Sequence, residues 1–312
     1  MKKILIITIV LIGIPFLIVY YFDDQVKEER QELINLDYIS NINVRVKRVN
    51  KDRIDRVNLE EYVVGAVAGE MPASFDVEAL KAQAVASRSY VLKKINDNKD
   101  GSYDVVDTTS NQVYLDNDDL KNNWGNNYTT YMNKIRGAVN DTSMEYLEYN
   151  GEVANTMFFS TSNGYTEDSK VVFSEDIPYL RSVDSKWDSE VNSNFNYKKK
   201  YSLKEFYEKI GLKYNNKLDV IILEKSNSNR VIKLKINGVE IMARDIYNKL
   251  KIRSTDFNIV QDGDEVIIST KGFGHGVGMS QYGALGMAKS GYKYTEILNH
   301  YYKGTNLKKY KN

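Results

Sequence analysis

Cysteine is absent from the 312-residue chain, and only two histidines occur, His275 and His300. The first absence excludes a disulfide framework and thiolate metal sites. The second leaves little for metal ligation or a histidine-based triad. No H-E-x-x-H spacing and no G-x-S-x-G elbow is present. An excess of either charge is missing too. With 43 basic against 42 acidic residues, neither nucleic acid nor an anionic membrane surface is the expected partner. No internal repeat or low-complexity segment is visible, and the glycines near the C-terminus lack the βαβ setting and the GK[ST] of a phosphate loop. The sequence implies no cofactor and no metal. Acid–base chemistry by carboxyl groups on an uncharged, hydroxyl-rich substrate remains, and 24 tyrosines suit such a substrate by stacking.

Lys2 and Lys3 precede Ile4 to Phe22, an uncharged run that would span about 28 Å as a helix. Asp23 and Asp24 follow, so the charge asymmetry places the N-terminus in the cytoplasm and the remainder outside. No small-residue cleavage pattern follows the run, which argues for an uncleaved anchor. The expected organisation is a single-pass anchor at 1–22, a charged, partly helical spacer at 23–40, and an extracytoplasmic α+β domain at 41–312. Residues 200–260 read as a small α+β subdomain of it.

The densest stretch is Val57 to Tyr90. Asn58 is a plausible N-cap, with Glu61 completing a capping box. Tyr62, Val63, Ala66 and Val67 recur at helical spacing, Gly69 suits a C′ position, and Pro72 stops the helix. A second helix is expected from Ser74 to about Ile95, with Leu80, Ala84 and Val91 on one stripe. Glu70 then lies just past a helix C-terminus, beside Met71. The helix dipole and desolvation both raise a carboxyl pKa there, which suits a general acid near neutral pH. A helix-end glutamate facing water is the plain alternative.

Farther on, Asn43–Val49 reads as a strand with one wet face, and Asn126–Val139 as a helix. Met144–Phe159 reads as a hairpin turning at Asn150-Gly151 and running into the small-residue loop STSNGYTEDS. Ser202–Ile210 (capped by Ser202 with Glu205) and Ala243–Lys251 read as helices, around strands Leu218–Glu224 and Arg230–Ile236 with a tight turn at Asn237-Gly238. In Lys271–Ser290, Gly272, Gly274, Gly276 and Gly278 alternate before Ser280 opens a helix. That places free backbone N–H groups near His275, Gln281 and Tyr282, a sensible seat for hydroxyls or a carboxylate. A glycine-rich connector with a solvent-facing histidine is the alternative, and His300 reads as structural.

VVGAVAGEMPASFDVEALKAQAVASRSYVL, SNGYTED, IRSTDF and GFGHGVGMSQYGALGMAKSGYKYTEILNHYYKG together resemble the stage II sporulation protein D family, whose superfamily includes amidase-enhancer proteins. The resemblance covers roughly residues 42–308. It implies a lytic transglycosylase that cleaves peptidoglycan glycan strands between N-acetylmuramic acid and N-acetylglucosamine during engulfment, alongside a cell-wall amidase and a membrane scaffold. The glutamate of GEMP, Glu70, would be the catalytic acid. Arg88 would contact substrate (a structural ion pair being the alternative), as would Ser162, Asn163 and Gly164 and the group His275, Gly276, Ser280, Gln281 and Tyr282. Two departures stand out. Some relatives carry zinc-binding Cys and His in the segment matching Asp104–Gln112, which here reads DVVDTTSNQ, and Asn163 replaces a common glycine. The rival functions are a non-catalytic glycan-binding module that stimulates an amidase, and a hydrolytic muramidase.

Overall fold

The computed structural model describes residues 32–310; the expected anchor at 1–22 lies outside them. Among the described residues no helix is long and apolar enough to cross a membrane. The part of the expected spacer that is described is not helical. Residues 32–40 run as irregular extended chain, held by asparagine side chains seven apart in sequence. Asn133 bonds Glu32 and Ile34, and Asn140 bonds Asn35 and Asp37, each through main-chain groups.

The fold is mixed α/β. Strands β1 (Asn43–Arg48) and β2 (Arg53–Asn58) pair antiparallel, and β3 (Val105–Val106) joins β1 in parallel. Helix α1 spans Leu59–Glu70 and α2 spans Val77–Asp97. Asn58 caps α1 by accepting from the Glu60 N–H, but no capping box forms, because Glu61 pairs with Arg136 at 2.8 Å. Asp76, not Ser74, caps α2; the intervening Met71-Pro72 turn closes with Phe75 N–H to the Pro72 carbonyl. Helices α3 (Asn117–Trp124) and α4 (Tyr128–Asp141) lead to β4 (Glu145–Tyr149). The central element is α2: α1, α4 and β4 pack on it, as do two C-terminal helices. Its buried Ala79, Ala82, Ala84 and Ala86 leave room for such close neighbours.

The Asn150-Gly151 turn forms with both φ positive, 52° and 84°, as a type I′ turn requires. The returning strand β5 is only Glu152–Val153. The next apolar pair, β6 (Phe158–Phe159), leaves the hairpin to run parallel with a strand 121 residues on. After two short helices, α5 (Ser169–Phe173) and α6 (Trp187–Val191), strands β7 (Asn196–Ser202), β8 (Val220–Lys225), β9 (Val231–Ile236), β10 (Val239–Met242), β11 (Phe257–Asp262) and β12 (Glu265–Lys271) make two antiparallel sheets. Helices α7 (Leu203–Ile210) and α8 (Ala243–Leu250) fill a second core with them. The chain then returns to the first core through β13 (Met279–Ser280, the partner of β6), α9 (Gln281–Lys289) and α10 (Tyr294–Tyr301), and ends in β14 (Asn306–Lys309) on β4.

Candidate active site

Glu70 is the last residue of α1, and Met71 is already extended. Gly69 therefore does not end the helix. Gly65 and Gly69, one turn apart, instead leave a shallow track on α1 into which Val113–Leu115 presses. A Cβ on Gly69 would meet the Val113 carbonyl oxygen at 2.7 Å, and one on Gly65 the Leu115 carbonyl oxygen at 2.5 Å. That close approach delivers the Val113 N–H to Glu70 Oε1 at 2.6 Å. From the far end of the sequence, the Gln281 amide reaches Oε2 at 3.4 Å, a long and weak bond.

The Glu70 carboxyl pKa is raised, first by desolvation, against which the Val113 and Gln281 hydrogen bonds act. No charged neighbour contributes among the described residues, so the site holds one carboxyl group with a near-neutral surround. Such a group is suited to proton donation followed by proton return. Val113 was not legible as a site residue, because its contribution is a main-chain N–H.

Gln281 is aimed by the start of α9. The Ser280 hydroxyl caps that helix through Gly283 N–H and also donates to Asp188 Oδ1. Tyr282 N–H bonds the Ser160 carbonyl at 3.0 Å, and its ring stands edge-on to Phe75 at 5.0 Å, beside the Met71-Pro72 turn. Gln281 and Tyr282, from the C-terminal part of the chain, thus lie beside the Glu70 region. Ser280 supports them without reaching solvent.

Asp188 escaped the sequence reading because it sits in a polar, irregular stretch. It is wholly buried, and Ser162 N–H (2.7 Å), Ser185 Oγ (2.7 Å) and Ser280 all donate to it. It fastens the small-residue loop to the glycine-rich return. Burial raises its pKa against these three serines.

Other expected contacts lie elsewhere. Arg88 is fully buried. It forms a fork with Glu60 at 2.8 and 2.6 Å and donates to the Glu145 carbonyl at 3.0 Å. With all three guanidinium nitrogens engaged inside the core, it does not face an open site. Ser162 is buried, with its hydroxyl on the Ser185 carbonyl. Asn163 bridges toward the second core, donating to Ser228 O and Asp256 Oδ2, both at 2.7 Å. Gly164 takes a φ of 112° and accepts from Ser185 N–H.

His275 is half-buried, with its ring engaged by neighbours. Its Nδ1 accepts from Val277 N–H at 3.0 Å and its ring lies between Phe159 and Phe173. Desolvation lowers its pKa to about 4 despite a carbonyl contact from Phe158, so it is neutral at physiological pH. Gly276 packs on Arg230. His300 bonds the Asp184 carbonyl at 2.7 Å, edge-on to Trp187, a structural role.

Residues 47–149 match the family model described as stage II sporulation protein. Residues 118–278 match a domain of unknown function. The chain is 41% identical over 274 residues to the stage II sporulation protein D of Bacillus subtilis (strain 168), covering 86% of this chain and 79% of that protein. It is 40% identical over 275 residues to the protein of the same name from Bacillus amyloliquefaciens, with the same two coverages. The amidase enhancer of Bacillus subtilis is 29% identical over 300 residues, which take in 79% of this chain and 40% of that protein.

Proposed function

The chain belongs to the stage II sporulation protein D family, and from that premise we propose that it is a membrane-anchored lytic transglycosylase of septal peptidoglycan. The observation that carries the reading is the lone Glu70 carboxyl, desolvated and held between the Val113 N–H and the Gln281 amide. Protonated Glu70 donates to the glycosidic oxygen between N-acetylmuramic acid and N-acetylglucosamine. The carboxylate so formed takes the proton of the muramic acid 6-hydroxyl as that oxygen attacks its own anomeric carbon. The product is a 1,6-anhydro end. No water enters, so the second carboxylate of an ordinary glycosidase is not required. Ile4–Phe22 would hold the enzyme at the membrane, and denuded glycan strands would reach it after a cell-wall amidase, in complex with that amidase and a membrane scaffold during engulfment.

The test is digestion of purified denuded glycan strands followed by mass spectrometry. The Glu70→Gln variant is expected to lose about 10²–10⁴-fold in rate while keeping its fold. Full activity of that variant removes Glu70 from its role. Reducing ends in place of anhydro ends would mean a hydrolytic muramidase. The likeness to an amidase enhancer favours a second reading, a glycan-binding stimulator. Under it, wild type releases no product and Glu70→Gln binds strands normally.

A further inference from the structure

A cavity of about 390 Å³ lies between the small-residue loop and the second core. Phe173, Arg230, Arg244, Tyr247 and His275 are among its walls, and neither Glu70 nor Gln281 is. Most of the lining is apolar, and its mouth exposes Val171, Phe173 and Met242.

Arg230 is anomalous there. It is 2% exposed, and only Nη1 is engaged, donating to Asn163 Oδ1 (3.0 Å), the Tyr165 carbonyl (3.2 Å) and Ser228 Oγ (2.9 Å). Nε and Nη2 are shut off from water and have no acceptor among the described residues. Buried donors of a charged group are rarely left so, because each forfeits the full cost of its desolvation. The carboxylates nearest in effect, Glu167, Asp256 and Asp188, each accept hydrogen bonds from other groups and none from Arg230. Glu167 accepts from Ser228 Oγ and Asp168 N–H, Asp256 from Asn163, and Asp188 from its serines.

Arg244, exposed in the first turn of α8, forms no ion pair among the described residues. With Glu167 and a neutral His275, the two arginines leave the lining one positive charge in excess. Gly276 lies against this edge of the Arg230 guanidinium: a Cβ there would fall 2.7 Å from Cζ, 2.8 Å from Nη2 and 2.9 Å from Nε, so a ligand reaches these donors by a shift of that backbone.

We propose that this cavity is a second ligand site, separate from Glu70, for a compact carboxylate with an apolar body, its carboxylate seated between Arg230 and Arg244. The bound carboxylate accepts from Nε and Nη2 as the Gly274–Gly276 segment yields locally. Methyl or methylene groups of the ligand cover Phe173 and Met242. A carboxylate-bearing amino sugar and a short alanyl peptide both have this chemistry. The site does not depend on the catalytic reading of Glu70.

Calorimetric titration of the full chain with N-acetylmuramic acid and with alanyl-alanine tests it, using N-acetylglucosamine and alanyl-alanine amide as uncharged counterparts. At least one acid is expected to saturate, about tenfold or more tighter than its counterpart, and whichever does so names the source. Arg230→Met and Arg244→Gln are expected to weaken it by a similar factor, and Glu70→Gln to leave it unchanged. Should Arg230→Met not fold, Arg244→Gln decides alone, since it breaks no bond within the chain. Binding of neither acid, equal binding of the uncharged compounds, full binding by the Arg244 variant, or loss on Glu70→Gln each overturns the proposal.

Discussion

Glu70 is set by opposing influences, and removing one has a predictable sign. Desolvation favours the protonated form, while the Gln281 amide favours the carboxylate. Gln281→Leu therefore raises the Glu70 pKa further. An acid catalyst is active below its pKa, so the falling limb of the pH–rate profile is expected to move to higher pH, and an unmoved limb rules out the contact. Stability carries the same sign. A carboxyl group raised on folding binds its proton more tightly in the native state. Its contribution is complete below the unfolded pKa and is lost as pH rises through the folded one. Glu70→Gln should thus melt at or above the wild-type temperature at neutral pH, as measured by calorimetry, although it is inactive.

Arg88 poses the opposite case. The family resemblance points to substrate, whereas the buried fork to Glu60 points to structure. Arg88→Met strands a buried carboxylate and is expected to cost about 3–5 kcal/mol in denaturant unfolding. The Arg88→Met, Glu60→Met double variant should recover most of that loss and with it the activity. A double variant that folds fully yet stays inactive would return Arg88 to the substrate.

Among the elements, those with a local signal were legible in the sequence. Asn150-Gly151 and Asn237-Gly238 turn with positive φ, and Ser202 and Ser280 cap the helices that follow them. What escaped was set by partners distant in sequence. Gly69 carries the signature of a helix stop, but its missing side chain serves the approach of Val113. The alternation after Val153 looked like one continuing strand, but it is divided between two pairings. Gly283, in the middle of the first turn of α9, makes the same point. A Cβ there would lie 2.7 Å from Asp188 Oδ2 and press on Tyr301 and Ser185 as well. Gly283→Ala, a helix-favouring change on an exposed surface, is expected here to destabilise by about 1–3 kcal/mol. The same variant should weaken glycan cleavage, because α9 aims Gln281. A gain in stability would show that the Asp188 cluster has room to give.

At the scale of the whole molecule, the second core is a detour from the first. It enters at Asn196 and leaves at Lys271, and these two residues are direct partners across β7 and β12, so the ends meet within about 5 Å. Its apolar core, from Tyr201 to Ile268, draws on both sheets and on α7 and α8. The sequence reading of a subdomain at 200–260 omits β12, which pairs with its hairpin neighbour β11 and, across a long separation in sequence, with β7. Bonds to the rest run chiefly through Asn163 and Arg230, through Ser228 with Glu167 and through the Arg253 carbonyl with Gly274 N–H, all polar or main-chain. A segment with its own apolar core, joined ends and polar attachments has what independent folding requires. Residues 196–271 expressed alone are expected to give dispersed amide resonances and a cooperative unfolding transition. A random-coil spectrum would mean that the two cores stabilise each other through the cavity wall they share, and that Arg230, with its open donors, is held in place by the first core and not by its own strand.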